Sequence, residues 1–164
     1  MEILGTVIVA DNKGNQVLEF SITGRLIRKL QSRTGDKASY LAGPHYVAVN
    51  EQGDIYVSDF HNHCIKVYNK EGIFQGAFGN HGTGNGQFNA PTGLAIDKQG
   101  RVLVSDWGNS RIQIFDSEGS FLTLVDTSAA PLFGPQSICM LDDSKVIVAD
   151  SGNHCIKIFQ YDAT

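Results

Sequence analysis

A proline, an aspartate fifteen residues later and an aromatic nine residues after that recur three times along this chain. The sets are Pro44, Asp59 and Tyr68; Pro91, Asp106 and Phe115; Pro135, Asp150 and Phe159. The second half of the unit also appears near the start, as Asp11 and Phe20. Equivalent aspartates are 48, 47 and 44 residues apart, and length varies only between the aromatic and the next proline. Such periodicity means a stack of similar supersecondary units, with insertions collected in one loop.

Each unit breaks into short β-type runs divided by turn residues. In the third unit these are 92–96, 102–105, 112–115 and 121–125, with Gly100, Gly108 and Gly119 in the gaps. The run Ile112-Gln113-Ile114-Phe115 lacks the 3.6-residue spacing of a helical face. Four strands in a period of about 45 residues is the repeat of a β-propeller blade. Gly5, Gly53 and Gly100 each stand six residues before their aspartate, so the chain enters its first unit at the turn before the second strand. It leaves the last unit after the third strand. The expectation is an all-β, open arc of about three and a half four-stranded blades. Blade one, lacking its first strand, is set at 1–41; full blades at 42–88 and 89–132; and a blade lacking its last strand at 133–164. Stacked blades bury their faces on neighbours. The open ends must therefore join further blades of a longer propeller or associate with another chain.

Composition narrows the function. Thirteen Lys and Arg against 17 Asp and Glu leave a net charge of −4, which disfavours non-specific nucleic-acid binding by the whole chain. No apolar run approaches the roughly 20 residues of a membrane helix, and the N-terminus lacks the basic region of a signal peptide. Three cysteines, Cys64, Cys139 and Cys155, form no close pairing pattern, which suits a reduced, cytoplasmic chain.

The pattern Pro91-x-Gly93-Leu94-Ala95-Ile96-Asp97, followed by Val102-Leu103-Val104-Ser105-Asp106-Trp107-Gly108-Asn109-Ser110-Arg111-Ile112-Gln113-Ile114-Phe115, resembles an NHL repeat, and the likeness covers essentially the whole chain. The glycine-rich stretch at 78–93, with Asp59-Phe60-His61-Asn62-His63 and Ala149-Asp150-Ser151-Gly152-Asn153-His154-Cys155, is more specific. It is similar to the C-terminal half of the six-bladed NHL propeller of tripartite-motif proteins, members two and three of that family in particular. The resemblance implies that Thr164 is near a natural C-terminus, with truncation upstream of Met1. It also implies that the ring-closing N-terminal strand is absent. Two departures are Gly14, where other units have Asn62, Asn109 and Asn153, and Ser144 in place of a turn glycine.

In a propeller, loops after the second and fourth strands emerge on one face. That face would gather His61, His63, Trp107, Ser110 and His154 with His81, Asn85 and Gln87 of the 80–89 loop, a surface of imidazole and amide donors and acceptors. Asp11, Asp59, Asp106 and Asp150, with Asn62, Asn109 and Asn153, repeat regularly and read as holding backbone within their turns. Residues that differ between blades, His61, His81, Trp107 and Arg111, fit partner contact better, with exposed Trp107 as an anchor.

Other chemistries find less support. His61, His63 and Cys64 lack the spacing of a zinc site, and Cys155 is two blades away from Cys64, so neither a metal nor a disulfide is expected. Gly82-x-Gly84-x-Gly86 leads into Pro91 rather than a helix N-terminus, so it reads as a flexible turn and not a phosphate loop. The first-strand segments contain no Asp or Glu, and no nucleophile stands beside a base. The chain is therefore expected to be non-catalytic and without cofactor.

The first 41 residues total +2 and the remainder −6. Arg25, Arg28 and Lys29 fit an outer edge guarded against aggregation. Arg33 and Lys37, with Arg111, offer the alternative of single-stranded RNA binding on the loop face, as in some tripartite-motif relatives. The favoured expectation is a protein-interaction scaffold that recruits partners or substrates to a RING-type E3 ubiquitin ligase. Its RING would lie outside these residues.

Overall fold

The computed structural model describes residues 5–161, so the expectation attached to Thr164 lies outside the described residues. Fourteen strands form four antiparallel sheets. The first contains β1 (Thr6–Asp11), β2 (Gln16–Ser21) and β3 (Leu26–Lys29). The second runs β4 (Pro44–Val49), β5 (Ile55–Asp59), β6 (Cys64–Tyr68) and β7 (Phe74–Phe78). The third runs β8 (Pro91–Ile96), β9 (Val102–Asp106), β10 (Arg111–Phe115) and β11 (Phe121–Leu124). The fourth contains β12 (Pro135–Met140), β13 (Lys145–Asp150) and β14 (Cys155–Gln160). This is the open arc expected from the repeat, with three, four, four and three strands. No helix among the described residues is long and apolar enough to cross a membrane.

Strand periodicity sends alternate side chains to opposite faces, and here each face of an inner blade meets a neighbour. On β5, Ile55 and Val57 join Val17 of the first sheet and Leu30 just beyond it, whereas Tyr56 faces Leu94, Val102 and Val104 of the third. On β9, Leu103 turns the other way, towards Ile138, Val146 and Val148 of the fourth. Both strands are therefore buried along their whole length. Each fully buried Val, Ile or Leu contributes about 1.5–3 kcal/mol over its exposed state. The end sheets bury one face each. On the first, Val7 and Val9 are exposed; on the last, Ile156 and Ile158. Around the axis β4, β8 and β12 lie side by side, and the Ser137 hydroxyl reaches the Tyr46 hydroxyl across β8 at 3.3 Å.

One polar cluster repeats at the ends of β5, β9 and β13, where Asp59, Asp106 and Asp150 are fully buried. One carboxylate oxygen of each accepts the N–H of a residue 17 positions earlier: Ala42 at 2.7 Å, Asn89 at 2.7 Å and Phe133 at 2.8 Å. The other oxygen accepts from Asn62, Asn109 or Asn153 at 2.7, 2.8 and 2.7 Å. Those amides also donate to the incoming-loop carbonyls of Tyr40, Gly82 and Pro131. A cation completes each cluster. Lys66 and Lys157 stand seven residues after their aspartates, at 2.9 and 2.7 Å. In the third blade Arg111 stands five residues after Asp106, at 2.8 Å, and Gln113 takes the lysine's place. Positions five and seven lie on one strand face, so the charge shifts by one pleat without leaving the carboxylate.

This corrects the expectation that the aspartates bond within their own turns. They hold the preceding loop onto the end of the second strand. Among these four aspartates only Asp11, in the blade with Gly14 for the asparagine, accepts a backbone N–H of its own turn, that of Gly14 at 2.9 Å, with Gln16 on its other oxygen. At Asp150 burial pushes the carboxyl upward, but Lys157, Asn153 and the Phe133 N–H outweigh it and hold the pKa below the ordinary value.

Removing one partner of a buried ion pair strands the other. Asp106→Ala is therefore expected to cost about 3–5 kcal/mol in urea unfolding followed by fluorescence of the single tryptophan, with a much smaller loss for Asp11→Ala. Similar small losses for both would mean that the buried cluster does not hold the blades.

Candidate functional site

Beyond each buried aspartate the chain makes a 3-10 turn, Phe60–Asn62, Trp107–Asn109 and Ser151–Asn153, each ending in a left-handed residue. Those residues are His63, Ser110 and His154, at φ near +52°, and Asn15 matches them in the first blade. A non-glycine residue is unfavourable there unless its side chain is used locally. Three of the four reach the next blade. Asn15 Oδ1 accepts the Gly43 N–H at 2.6 Å, His63 Nδ1 the Ala90 N–H at 2.9 Å, and Ser110 Oγ the Gly134 N–H at 3.2 Å. His63 and Ser110, read from the sequence as partner contacts, thus join blades. His154 holds the equivalent position on the last blade and is exposed, with no such neighbour among the described residues.

The other sequence candidates divide in the same way. The Arg111 guanidinium donates to Asp106 and to the carbonyls of Thr83, Gly84 and Gln87, all at 2.8–2.9 Å. Gln87 closes the same loop through its side chain, which accepts the Gly84 N–H. Further bonds run from Gly82 N–H to the Phe88 carbonyl and from Phe88 N–H to the Asn80 carbonyl. Gly86 N–H donates to Gln113 Oε1. The 80–89 segment is therefore a fixed loop, not the flexible turn its glycines suggested. Asn85 is exposed upon it, and His81 lies against His63 with ring centroids 4.5 Å apart. Arg33 sits over the Phe74 ring at 5.7 Å and Lys37 opens a 3-10 turn at Lys37–Ser39. Among the described residues no hydrogen bond links either to Arg111, whose guanidinium goes to Asp106 and the 80–89 loop.

The aromatic side chains of this face gather around Phe60 and Trp107. Phe60 stacks on His45 at 5.4 Å, meets His61 edge-on at 5.1 Å and stands 6.2 Å from Trp107. Trp107 and Phe133 are 40% and 64% exposed, and between them lies a slot of about 340 Å3 with Asn89, Ser110 and Ser151. No charged side chain lines it. The opposite face has a cleft of similar volume that includes Glu51, Asp54 and Glu118. Phe133 and Asn89 escaped the sequence reading, although the signal was present. They precede the prolines by two residues, where the second blade has Ala42, and so vary between blades as Trp107 does.

The cysteines take no part in this surface. Cys64 is buried, and burial followed by the nearby Asp59 carboxylate pushes its thiol up to about 11. Cys139 and Cys155 are exposed and unpaired. Among the described residues no three His, Cys, Asp or Glu side chains are grouped as they would be around a metal ion.

The NHL repeat model matches residues 41–68, 88–115 and 134–159. No curated protein matches the chain. Among solved structures, a streptogramin B lyase superposes with a TM-score of 0.68 at 20% identity, covering 96% of this chain and 51% of its own. A structural-genomics protein of unknown function from Bacteroides thetaiotaomicron gives 0.76 at 16% identity, covering 94% and 44%. Virginiamycin B lyase from Staphylococcus aureus gives 0.62 at 13% identity, covering 98% and 53%. The chain thus spans about half the length of the structures it matches, and at these identities the likeness bears on fold alone.

Two measurements check the assignments. Burial, then the neighbouring His81 and His61, lower the His63 pKa, against an opposing pull from Asp106. The folded chain therefore binds fewer protons there than the unfolded chain. Stability from this residue is complete above the ordinary value of 6.5 and is lost as pH falls through the folded value. His63→Asn, which copies Asn15, is expected to retain stability and flatten that part of the pH profile. His63→Ala should lose about 1–2 kcal/mol by leaving the Ala90 N–H unpaired. Equal behaviour of the two variants would remove the joint. Secondly, a disulfide reagent at pH 8 should modify Cys139 and Cys155 in the native chain, and Cys64 only after unfolding.

Proposed function

The chain belongs to the NHL-repeat family, and from that premise we propose that it is a non-catalytic protein-interaction module whose loop face recruits a partner. The observation that carries this reading is the division of labour on that face. Its repeating polar residues are largely occupied in holding loops and blades, while exposed Trp107 and Phe133, with half-buried Phe60 beside Trp107, form an aromatic strip from three successive blades. Exposed aromatics in an uncharged setting supply contact area at low entropic cost. The finer reading, from the sequence resemblance, is recruitment of substrates for a tripartite-motif E3 ubiquitin ligase in the reducing cytoplasm. The transfer chemistry would reside in a RING elsewhere.

Immobilised chain is expected to retain protein from a cytoplasmic extract in the presence of ribonuclease and about 0.5 M salt, where exposed charges beyond roughly 4 Å are screened. Trp107→Ala should reduce that retention severalfold, and Glu118→Lys on the opposite face should leave it intact. Retention that ignores Trp107, or that disappears with ribonuclease and is abolished by Arg33→Glu with Lys37→Glu, would replace this reading with RNA binding.

A further inference from the structure

The slot between Trp107 and Phe133 is walled by two exposed aromatic side chains that take part in none of the joints between blades described above. Its two aromatic walls come from different blades, Trp107 after β9 and Phe133 before β12. Glycines set where those walls stand. A Cβ on Gly152 would come within 2.1 Å of the Phe133 ring, and one on Gly134, which has φ +64°, within 3.0 Å of the Trp107 indole nitrogen. Side chains at either position would push the walls aside. Among the described residues, neither the Trp107 indole N–H nor the Asn89 side-chain amide has a hydrogen-bond partner. The slot thus offers two aromatic surfaces, an indole donor and an amide with both a donor and an acceptor.

We propose that this slot binds an uncharged, proline-rich peptide segment in the polyproline II conformation. The proposal rests on the reading of the loop face as a protein-interaction surface, and names the chemistry of the partner. A polyproline II segment has no internal hydrogen bonds, so its carbonyls are open to Trp107 Nε1 and the Asn89 amide. It is already extended, loses little entropy on docking, and packs its rings against aromatic walls. The strip continues from the slot to Phe60, 6.2 Å from Trp107 between ring centroids, about the rise of two polyproline II residues. An amphipathic helix would instead need a continuous apolar stripe, and here exposed His61 and the polar Ser110 and Ser151 interrupt it.

Aromatic walls would also stack a nucleobase, and charge separates the two ligands. Binding of nucleic acid depends on cations that neutralise phosphates. Two cations at the loop ends of these blades are committed: Arg111 to Asp106 and three carbonyls, Lys157 to Asp150 and the Pro131 carbonyl. An uncharged peptide matches a slot without charge.

The experiment titrates the 164-residue chain with a deca-proline peptide blocked at both ends, and follows emission from Trp107, the single tryptophan. A saturable blue shift is expected, with affinity changing less than about twofold between low and physiological salt because no ion pair forms. A blocked Gly-Ser decapeptide should give no shift. Phe133→Ala, a change at an exposed side chain, should weaken binding about tenfold or more, and Asn89→Ala severalfold, while Arg33→Glu with Lys37→Glu leaves it unaltered. No saturable shift, equal affinity in Phe133→Ala, or a steeply salt-dependent shift with decauridine in place of the peptide overturns the proposal. Loss of protein retention in Trp107→Ala without deca-proline binding overturns this ligand class but leaves the recruiting surface. Deca-proline binding with retention indifferent to Trp107 upholds the slot and overturns the recruiting role.

Discussion

Three carboxylates taken wholly out of water organise this chain. A buried carboxylate is tolerated only when its oxygens are hydrogen-bonded and its charge is paired, and Asp59, Asp106 and Asp150 meet that demand by drawing on distant segments. Each requires the backbone N–H of the loop before the first strand, the asparagine of the following turn, and a cation from the third strand. Satisfying one aspartate therefore fixes three segments of a blade. The exchange of lysine for arginine in the third blade illustrates the constraint. Gln113 takes the place of the lysine, and Arg111, one pleat away on the same face, restores the charge. Its longer fork then has donors to spare, which tie down the 80–89 loop.

Those bonds determine what the loop face can present. Several residues capable of polar recognition are engaged in the joints between strands and blades: Asn15, His63 and Ser110 across blade boundaries, Arg111 and Gln87 within a loop. The side chains with no such duty are mainly Phe60, Trp107, Phe133 and the exposed imidazoles. A surface of this kind has little with which to attract phosphate and much with which to hold apolar or weakly polar peptide. On the proposed reading the NHL framework is the support, and the positions that vary from blade to blade, next to the turn and before the proline, would carry the specificity.

The architecture was legible in the sequence because the repeat has a fixed inner length. Proline, aspartate and aromatic keep their spacing, and the unbroken apolar run Ile55, Tyr56 and Val57 matches a strand buried on both faces. The site was less legible, and for a physical reason. Position in a loop shows which face a residue occupies but not whether its donors are already used. His63, Ser110 and Arg111 look like contact residues until the next blade is set beside them. The reach of the aspartates was hidden in the same way, since their partners lie 17 residues upstream. Phe133 stands outside the proline, aspartate and aromatic pattern, just before the proline, so the repeat itself carries no sign that it completes the slot.

The most direct measurement is hydrogen exchange at the backbone amides of Ala42, Asn89 and Phe133, resolved by nuclear magnetic resonance. All three lie in loops, where amides ordinarily exchange through local opening. If buried carboxylates hold them, they will exchange as slowly as the amides of β5 and β9. Exchange as fast as that of the exposed loop residues Asn85 and Thr83 would contradict the account, because the loop face would then have no fixed support.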